Sequence, residues 1–123
     1  MEEKMKEQRS VSRIDNSALP TQLCRASILL AGGNEITART INLSETGMRI
    51  LVSSDECGKN ALAKGRSMHV VFPEAEIELS GECIYSEERK RAVAFLGIGF
   101  VNPYERILFG RYLNSILHRD EAV

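Results

Sequence analysis

Residues 36–52 have the sequence ITARTINLSETGMRILV, which predicts two antiparallel strands joined by a tight turn. The first part, 36–43, is rich in Ile and Thr, whose branched side chains favour extended backbone. The last part, 47–52, has apolar residues at every second position, the period of a strand with one buried face. Residues 42–47 between them contain Asn, Ser and Gly, which favour turns, and Gly47 is expected to supply a positive φ.

The same alternation occurs on both sides of this stretch and extends the prediction to six strands. The strands predicted in this way are Leu23–Leu30, Ile36–Leu43, Gly47–Val52, Ser67–Phe72, Ile77–Tyr85 and Arg91–Phe100. The alternation also places Tyr85 on the same face as Leu79 and Cys83, which predicts that its ring packs in the core. Six short antiparallel strands separated by turns are typical of a small closed or split barrel.

The connections and the C-terminal end complete this prediction. Residues 53–65 are expected to form a polar loop with one helical turn around Asn60–Lys64, and Ser86–Lys90 a charged turn. A helix of roughly 15 residues is predicted after Asn102, because Asn is a good N-cap and the following Pro suits the first helical position. Its apolar residues form one wide stripe that requires burial across a barrel mouth or against a partner. They are Leu108, Phe109, Tyr112, Leu113, Ile116 and Leu117.

The length of 123 residues corresponds to one domain. Residues 1–18 are polar and are predicted to form an arm, 19–118 the barrel with its helix, and 119–123 a short tail. The N-terminus lacks the apolar segment of a signal peptide, and no stretch approaches the ~18 apolar residues of a membrane helix. Three widely spaced cysteines argue against a disulfide framework and favour a cytoplasmic location.

Composition and motifs exclude several classes of function. A net charge of -1 provides no basic field to hold a long nucleic acid, and Trp is absent. No C-x-x-C motif occurs, the two histidines are far apart, and no Ser/His/Asp or Cys/His set can be assembled. The sequence therefore predicts a binding protein rather than an enzyme, with no metal and no cofactor.

Two local patterns are candidates for a binding site. The first is Asn42-Leu43-Ser44-Glu45-Thr46-Gly47, which taken alone is also compatible with an ordinary β-turn. The second is the pair Arg9 and Arg13, which taken alone is also compatible with a solvated charged arm. Each guanidinium offers a planar fork that suits a phosphate or the O6/N7 edge of guanine.

In this order the two patterns resemble the PilZ domain family, whose signature is R-x-x-x-R followed by [D/N]-x-S-x-x-G. The segments that also resemble the family are Leu19-Pro20, Met48-Arg49-Ile50, Gly81–Tyr85, Gly97–Phe100 and the terminal helix. The resemblance covers residues 9–118 and implies a mainly β fold. That fold is a six-stranded antiparallel PilZ-type split barrel with a C-terminal α-helix and a flexible N-terminal arm.

The resemblance also implies a receptor for the bacterial second messenger cyclic di-GMP. The residues that it assigns to the ligand are Arg9, Arg13, Asn42, Ser44, Gly47 and Tyr85. The arginines would contact phosphates and guanine, the Asn and Ser would hydrogen-bond guanine, and the Gly would allow close approach. The Tyr falls where the family often has an aromatic residue near the ligand. Asn occupies position 42, where Asp is commoner in the family.

By the same resemblance the protein would be an adaptor without catalytic activity. Ligand binding would order the N-terminal arm and change the surface shown to an effector protein of motility, exopolysaccharide or secretion machinery. The alternative is a PilZ-like interaction module that does not bind nucleotide, with the terminal helix and loop 53–65 as its contact surfaces.

Overall fold

A computed structural model of the protein describes residues 13–60, 62–89 and 93–117. Within these ranges the chain forms seven strands, two helices and two 3-10 turns, at Asn16–Ala18 and Thr21–Leu23. In chain order the strands and helices are β1 (Ile14–Asp15), β2 (Arg25–Leu29), β3 (Glu35–Leu43), β4 (Gly47–Ser53), α1 (Ser54–Lys59), β5 (Ser67–Phe72), β6 (Ile77–Arg89), β7 (Val93–Phe100) and α2 (Pro103–Leu117).

Six of the strands close into an antiparallel barrel. Their order is β3-β2-β5-β6-β7-β4, and β4 pairs back with β3 to close the ring. The six-stranded barrel predicted from the alternation is therefore confirmed. The two-residue strand β1 pairs with the end of β3 that β2 leaves uncovered, with Ile14 opposite Leu43 and Asp15 opposite Asn42. Closure removes the free edges that a sheet of this size otherwise exposes.

The core fills the barrel with the inward side chains of all six strands, and α2 covers one end of it. The largest fully buried side chains are Phe72, Leu23, Ile28, Leu43, Ile50, Leu79, Leu96, Ile98, Leu113, Val70, Thr40 and Cys83. Phe109 of α2 packs on two barrel rings, with its centroid 5.9 Å from Phe72 and 5.7 Å from Phe100. The helix is thus held by apolar contacts across the barrel end.

The start of α2 follows the predicted capping. Asn102 Oδ1 accepts hydrogen bonds from the backbone N–H groups of Tyr104, at 2.9 Å, and Glu105, at 3.2 Å. Glu105 Oε1 in turn accepts from the N–H of Ser80 in β6 at 2.8 Å, which fastens the helix to the sheet. The buried stripe is narrower than predicted, since Leu108 is 46% exposed.

Two connections differ from the prediction. Residues 54–59 form α1 because Ser53 Oγ caps the N–H groups of Asp55 and Glu56, so a helical turn around Asn60–Lys64 was the wrong expectation. Strand β6 continues to Arg89, although a charged turn was predicted at Ser86–Lys90. Charged residues are compatible with a strand there, because the extension pairs with β7. Among the described helices, none has the length and hydropathy needed to cross a bilayer.

Candidate ligand-binding site

A β-bulge in β3 turns Asn42 out of the core. Thr40 pairs with Ile50, but the next pair joins Asn42 to Arg49, so Ile41 is an extra residue in β3. An extra residue reverses the inward–outward alternation of a strand. Thr40 and Leu43 are consequently both buried, and Asn42 between them lines a cavity on the outer surface.

A second bulge, in β6, does the same for Tyr85. Cys83 pairs with Ile98 and Tyr85 pairs with Gly97, which leaves Ile84 as the extra residue. Cys83 is 1% exposed, whereas Tyr85 is 40% exposed. The core packing predicted for Tyr85 from simple alternation is therefore wrong. The bulge is closed by a hydrogen bond of 3.3 Å from the Cys83 thiol to the Tyr85 carbonyl.

The pairing of the strands places Asn42 and Tyr85 in one line across the sheet. Asn42 lies opposite Arg49, Arg49 opposite Gly97, and Gly97 opposite Tyr85. We call these four residues, on β3, β4, β7 and β6, the cross-strand row. A cavity of about 300 Å³ lies over the row, at the lower end of the size range of ligand pockets. Its lining consists of Arg13, Asn42, Thr46, Gly47, Met48, Arg49, Ile84, Tyr85, Gly97 and Ile98.

Arg13 stands at the β3 end of the row. It directly precedes β1, whose residue Asp15 pairs with Asn42. Arg13 Nη1 donates a hydrogen bond of 2.7 Å to Asn42 Oδ1. An amide oxygen has two lone pairs, so Asn42 retains one acceptor position for a ligand. Arg9 lies outside the described residues.

Ser44 holds the turn between β3 and β4 rather than lining the cavity. Its N–H donates to the Gly47 carbonyl at 2.9 Å. Its hydroxyl accepts from the N–H of Thr46 at 3.2 Å and contacts the Thr46 hydroxyl at 3.1 Å. The buried Ser44 thereby positions Thr46, which does line the cavity.

Gly47 is required by a close backbone approach. The expected positive φ is wrong, because the described glycines with positive φ are Gly32, Gly33 and Gly65. A Cβ at Gly47 would instead lie 2.5 Å from the Ile98 carbonyl oxygen in β7. Real Cβ atoms do not come this close to a carbonyl oxygen, so the absence of a side chain permits β4 to pair with β7 at the cavity.

The ring of Tyr85 lies over Gly97. A Cβ at Gly97 would be 2.2 Å from Tyr85 Cε2 and 2.7 Å from Cζ. The ring therefore occupies the space that any other residue at this position would fill. This arrangement leaves one aromatic face of a half-exposed ring beside the cavity, where a flat ligand group can stack on it.

Arg49 is the site residue that the sequence prediction missed. Its Cζ lies 4.4 Å from the centroid of the Phe95 ring, and its Nη2 donates to Glu87 Oε1 at 3.4 Å. The side chain is 30% exposed and reaches from β4 across β7 toward β6. With Arg13 it gives the cavity lining two guanidinium groups and no carboxylate. Such a lining favours an anionic ligand or one rich in hydrogen-bond acceptors.

A second and larger groove, of about 620 Å³, lies elsewhere on the barrel. Arg25 and Arg39 face each other across β2 and β3 at this groove, and Glu74 also lines it. It contains none of the residues that the sequence prediction assigned to a ligand. We therefore take the smaller cavity over the cross-strand row as the candidate site.

Thiols and possible metal ligands are the other groups among the described residues that could carry chemistry. Cys24, Cys57 and Cys83 are free thiols, and burial is the main cause that raises the pKa of the Cys83 thiol, which keeps it neutral at physiological pH. In the part of the chain that the structure describes, no three His, Cys, Asp or Glu side chains are grouped to hold a metal ion.

Comparison with known proteins identifies the fold around this site. The family model of the PilZ domain matches residues 4–115. The chain belongs to the PilZ family. The match of the PilZ model includes Arg9, Arg13 and the turn from Asn42 to Gly47. No protein in the curated set matches the sequence significantly.

Among the solved structures similar to this PilZ chain are bacterial proteins in complex with c-di-GMP. The PilZ domain of YcgR from Escherichia coli has a TM-score of 0.62 at 19% identity, over 94% of this chain and 95% of that one. For the longer YcgR structure the TM-score is 0.60 at 20% identity, and the match covers 94% of this chain but 48% of YcgR. PlzA from Borreliella burgdorferi has a TM-score of 0.52 at 12% identity, over 96% of this chain and 57% of PlzA. This PilZ chain thus spans about half of the longer relatives, and at these identities the likeness establishes the fold.

Proposed function

We propose that this PilZ domain is a receptor for cyclic di-GMP and that the ligand binds over the cross-strand row. The observation that carries the proposal is the convergence of Arg13, Asn42 and Tyr85, from distant parts of the sequence, on one cavity. The proposal is supported by family membership and by the c-di-GMP complexes of the structural relatives.

The chemistry of the cavity fits the two parts of this ligand. Cyclic di-GMP carries two phosphates, and a guanidinium binds a phosphate through paired charge-assisted hydrogen bonds. Arg13 is exposed at the rim, where phosphates keep part of their hydration. The free lone pair of Asn42 can accept from guanine N1–H or N2–H, and the Tyr85 ring offers a stacking face. Ser44 acts in this proposal through the turn that it closes.

We propose that Arg9 contacts the same ligand. It precedes Arg13 by four residues, and an extended chain spans about 3.3–3.6 Å per residue. This length of chain is sufficient to span the cavity of about 300 Å³ that Arg13 borders. We propose that residues 1–12, the part of the predicted arm (1–18) that precedes β1, close over the bound ligand and that this change of surface is the output to an effector protein. The division of the chain into arm, barrel and tail remains a prediction.

The proposed contacts are of the right order for a micromolar receptor. A micromolar complex requires about 8 kcal/mol. Charge-assisted hydrogen bonds contribute roughly 1.5–3 kcal/mol each. Two arginines, an amide contact and one stacked base together supply an amount of the same order, from which the cost of ordering the arm is subtracted. We propose no catalytic step and a cytoplasmic location, in keeping with the free thiols.

Calorimetric titration with cyclic di-GMP, cyclic di-AMP and GTP tests this function. We expect saturable binding of cyclic di-GMP, with cyclic di-AMP and GTP bound much more weakly. A folded protein that does not bind cyclic di-GMP would contradict the proposal and would favour the interaction module without nucleotide.

Gly97→Ala is expected to weaken ligand binding while leaving the fold intact. The added methyl group meets the Tyr85 ring rather than backbone, and the half-exposed ring can swing away. That movement removes the stacking face, which we expect to weaken cyclic di-GMP binding by about tenfold, given ~1–3 kcal/mol for a stacked base. Gly58→Ala in α1 is the matched control, because nothing lies within 4 Å of its added Cβ. Equal affinity of the Gly97→Ala variant and wild type for cyclic di-GMP would contradict the assignment of Tyr85 to the site.

Closure of the arm predicts a change in amide exchange. We expect amides of residues 1–12 to exchange more slowly when cyclic di-GMP is bound, because an arm held over a ligand is excluded from solvent. Hydrogen-exchange mass spectrometry measures this directly, and peptides of β5 serve as the internal reference. Equal exchange of 1–12 in both states would contradict arm closure without affecting the binding proposal.

A further inference from the structure

Arg49 lies in the middle of the cross-strand row and, among the described residues, its guanidinium uses few of its hydrogen-bond donors. A guanidinium carries five N–H groups. In the structure one nitrogen, Nη2, makes a long bond of 3.4 Å to Glu87 Oε1. Its Nε is buried and has no hydrogen-bond partner among the described residues. A buried donor without a partner is costly. The side chain as a whole is 30% exposed and lines the cavity, so a ligand there can supply acceptors to the other guanidinium donors.

The guanidinium is also held in one orientation before any ligand arrives. Its plane is supported by the Phe95 ring, 4.4 Å away, and its far end is tied to Glu87. An arginine that is stacked in this way loses little further freedom when it forms new hydrogen bonds. Arg49 therefore has the features of a recognition group rather than of a solvated surface charge.

We propose that Arg49 binds the O6/N7 edge of a guanine base and determines the base specificity of the site. The inference rests on the proposed function, since it assigns a role within the same cavity. Asn42 and Arg49 are directly opposite each other on strands that lie about 4.8 Å apart. A guanine that donates N1–H or N2–H to the remaining lone pair of the Asn42 oxygen carries O6 and N7 on its adjoining edges. Those two acceptors then face the row's next residue, Arg49.

The same geometry rejects adenine. Arginine has donors only, and the O6 and N7 atoms of guanine are both acceptors. Adenine presents an N6 amino donor in place of O6, so a donor would meet a donor next to Arg49. Arg13 suits the phosphates better than this role, because it is exposed at the rim of the cavity whereas Arg49 forms part of its floor.

A chemical double-mutant cycle tests this assignment. Arg49→Met and wild type are each titrated with cyclic di-GMP and with its 7-deaza analogue, in which N7 of each guanine is replaced by CH. We expect Arg49→Met to weaken cyclic di-GMP binding by about tenfold to a hundredfold, the range measured for an arginine fork on guanine. Wild type should bind the analogue several-fold more weakly than cyclic di-GMP, and the variant should bind both ligands equally.

Two further variants serve the cycle. Arg25→Met removes the same charge from another strand, outside the site, and should leave both affinities unchanged. Arg49→Leu keeps an apolar side chain beside Phe95 but has no hydrogen-bond donor, so it should also fail to distinguish the two ligands. The leucine variant gives the same answer if the methionine variant does not fold.

Each outcome decides the proposal. Equal affinity of Arg49→Met and wild type for cyclic di-GMP would overturn it. If Arg49→Met and the 7-deaza substitution weaken binding independently, so that their fold-losses of affinity multiply, Arg49 contacts another part of the ligand, such as a phosphate. That result would overturn base recognition by Arg49. If wild type fails to bind cyclic di-GMP at all, the proposed function itself fails, and this inference fails with it. The wild-type titration therefore separates the two claims.

Discussion

Arg13→Ala is expected to weaken cyclic di-GMP binding by about a hundredfold or more, from the loss of two charge-assisted hydrogen bonds at roughly 1.5–3 kcal/mol each. Isothermal titration calorimetry of the variant beside wild type measures the effect. Arg9→Ala should have an effect in the same direction, because both guanidiniums are proposed to contact the ligand.

The fold should not respond to the Arg13 substitution. Arg13 is exposed, and its hydrogen bond to Asn42 is exposed as well, so the free energy of unfolding should change by less than about 1 kcal/mol. Arg25→Ala is the matched control, since Arg25 is an exposed arginine at the other groove. An Arg13→Ala variant that melts like wild type and binds with unchanged affinity would refute the assignment of Arg13.

Gly47→Ala is expected to destabilise the domain by about 1–3 kcal/mol or more, the usual range for overpacking of a rigid site. Its Cβ would lie 2.5 Å from the Ile98 carbonyl oxygen. This clash is with the backbone, which, unlike a side chain, cannot relieve it by changing rotamer. To relieve the clash, β4 must move away from β7 where Gly47 pairs with Gly99. The neighbouring hydrogen bond, from the Phe100 N–H to the Thr46 carbonyl, would be strained by this movement. The expected fall in melting temperature is about 4–8 °C per kcal/mol for a small domain.

Chemical denaturation of Gly47→Ala and Gly58→Ala side by side shows whether the loss of stability is specific to position 47. Both variants add one methyl group to a glycine, but Gly58 has open space around it and lies in a helix, where Ala is preferred over Gly by about 1 kcal/mol. Gly58→Ala should therefore be neutral or slightly stabilising. A Gly47→Ala variant with the denaturation midpoint of wild type would show that β4 and β7 tolerate a wider spacing than the structure has.

The regular parts of the fold follow from local patterns. Ser67–Phe72 begins and ends where the alternation and Pro73 predict, and Asn102 caps α2 as its residue type predicts. The six-stranded barrel is also in line with these patterns, because six short antiparallel strands with one apolar face each are typical of a small barrel. These features depend on residues close together in the sequence, where periodicity is informative.

The bulges account for most of what the sequence did not predict. An inserted residue such as Ile41 or Ile84 is itself a good strand former, so nothing in its type marks the point where the alternation reverses. Extrapolating period two through Ile84 places Tyr85 in the core, whereas the structure places it over Gly97. Residues that face a site because of an irregularity cannot be found from an ideal period.

Arg49 and β1 illustrate two other limits. Counting outward from the turn pairs Leu43 with Met48 and Asn42 with Arg49, so the neighbour of Asn42 was available from the hairpin alone. The role of Arg49 could not be predicted from the hairpin, because the residues that hold its guanidinium, Phe95 and Glu87, come from strands far along the chain. Strand β1 has two residues, Ile14 and Asp15, too few to show a period, and its place beside β3 depends on the space that β2 leaves free.

Backbone amide chemical-shift mapping tests the central claim most directly. On titration of ¹⁵N-labelled protein with cyclic di-GMP, we expect the largest shifts at the cross-strand row and the adjoining turn, that is at Asn42, Thr46, Gly47, Arg49, Tyr85 and Gly97. The amides around the larger groove, such as those of Arg25, Thr37 and Arg39, should stay unchanged. Shifts concentrated at that groove, or no shifts in a folded protein at saturating ligand, would contradict the account.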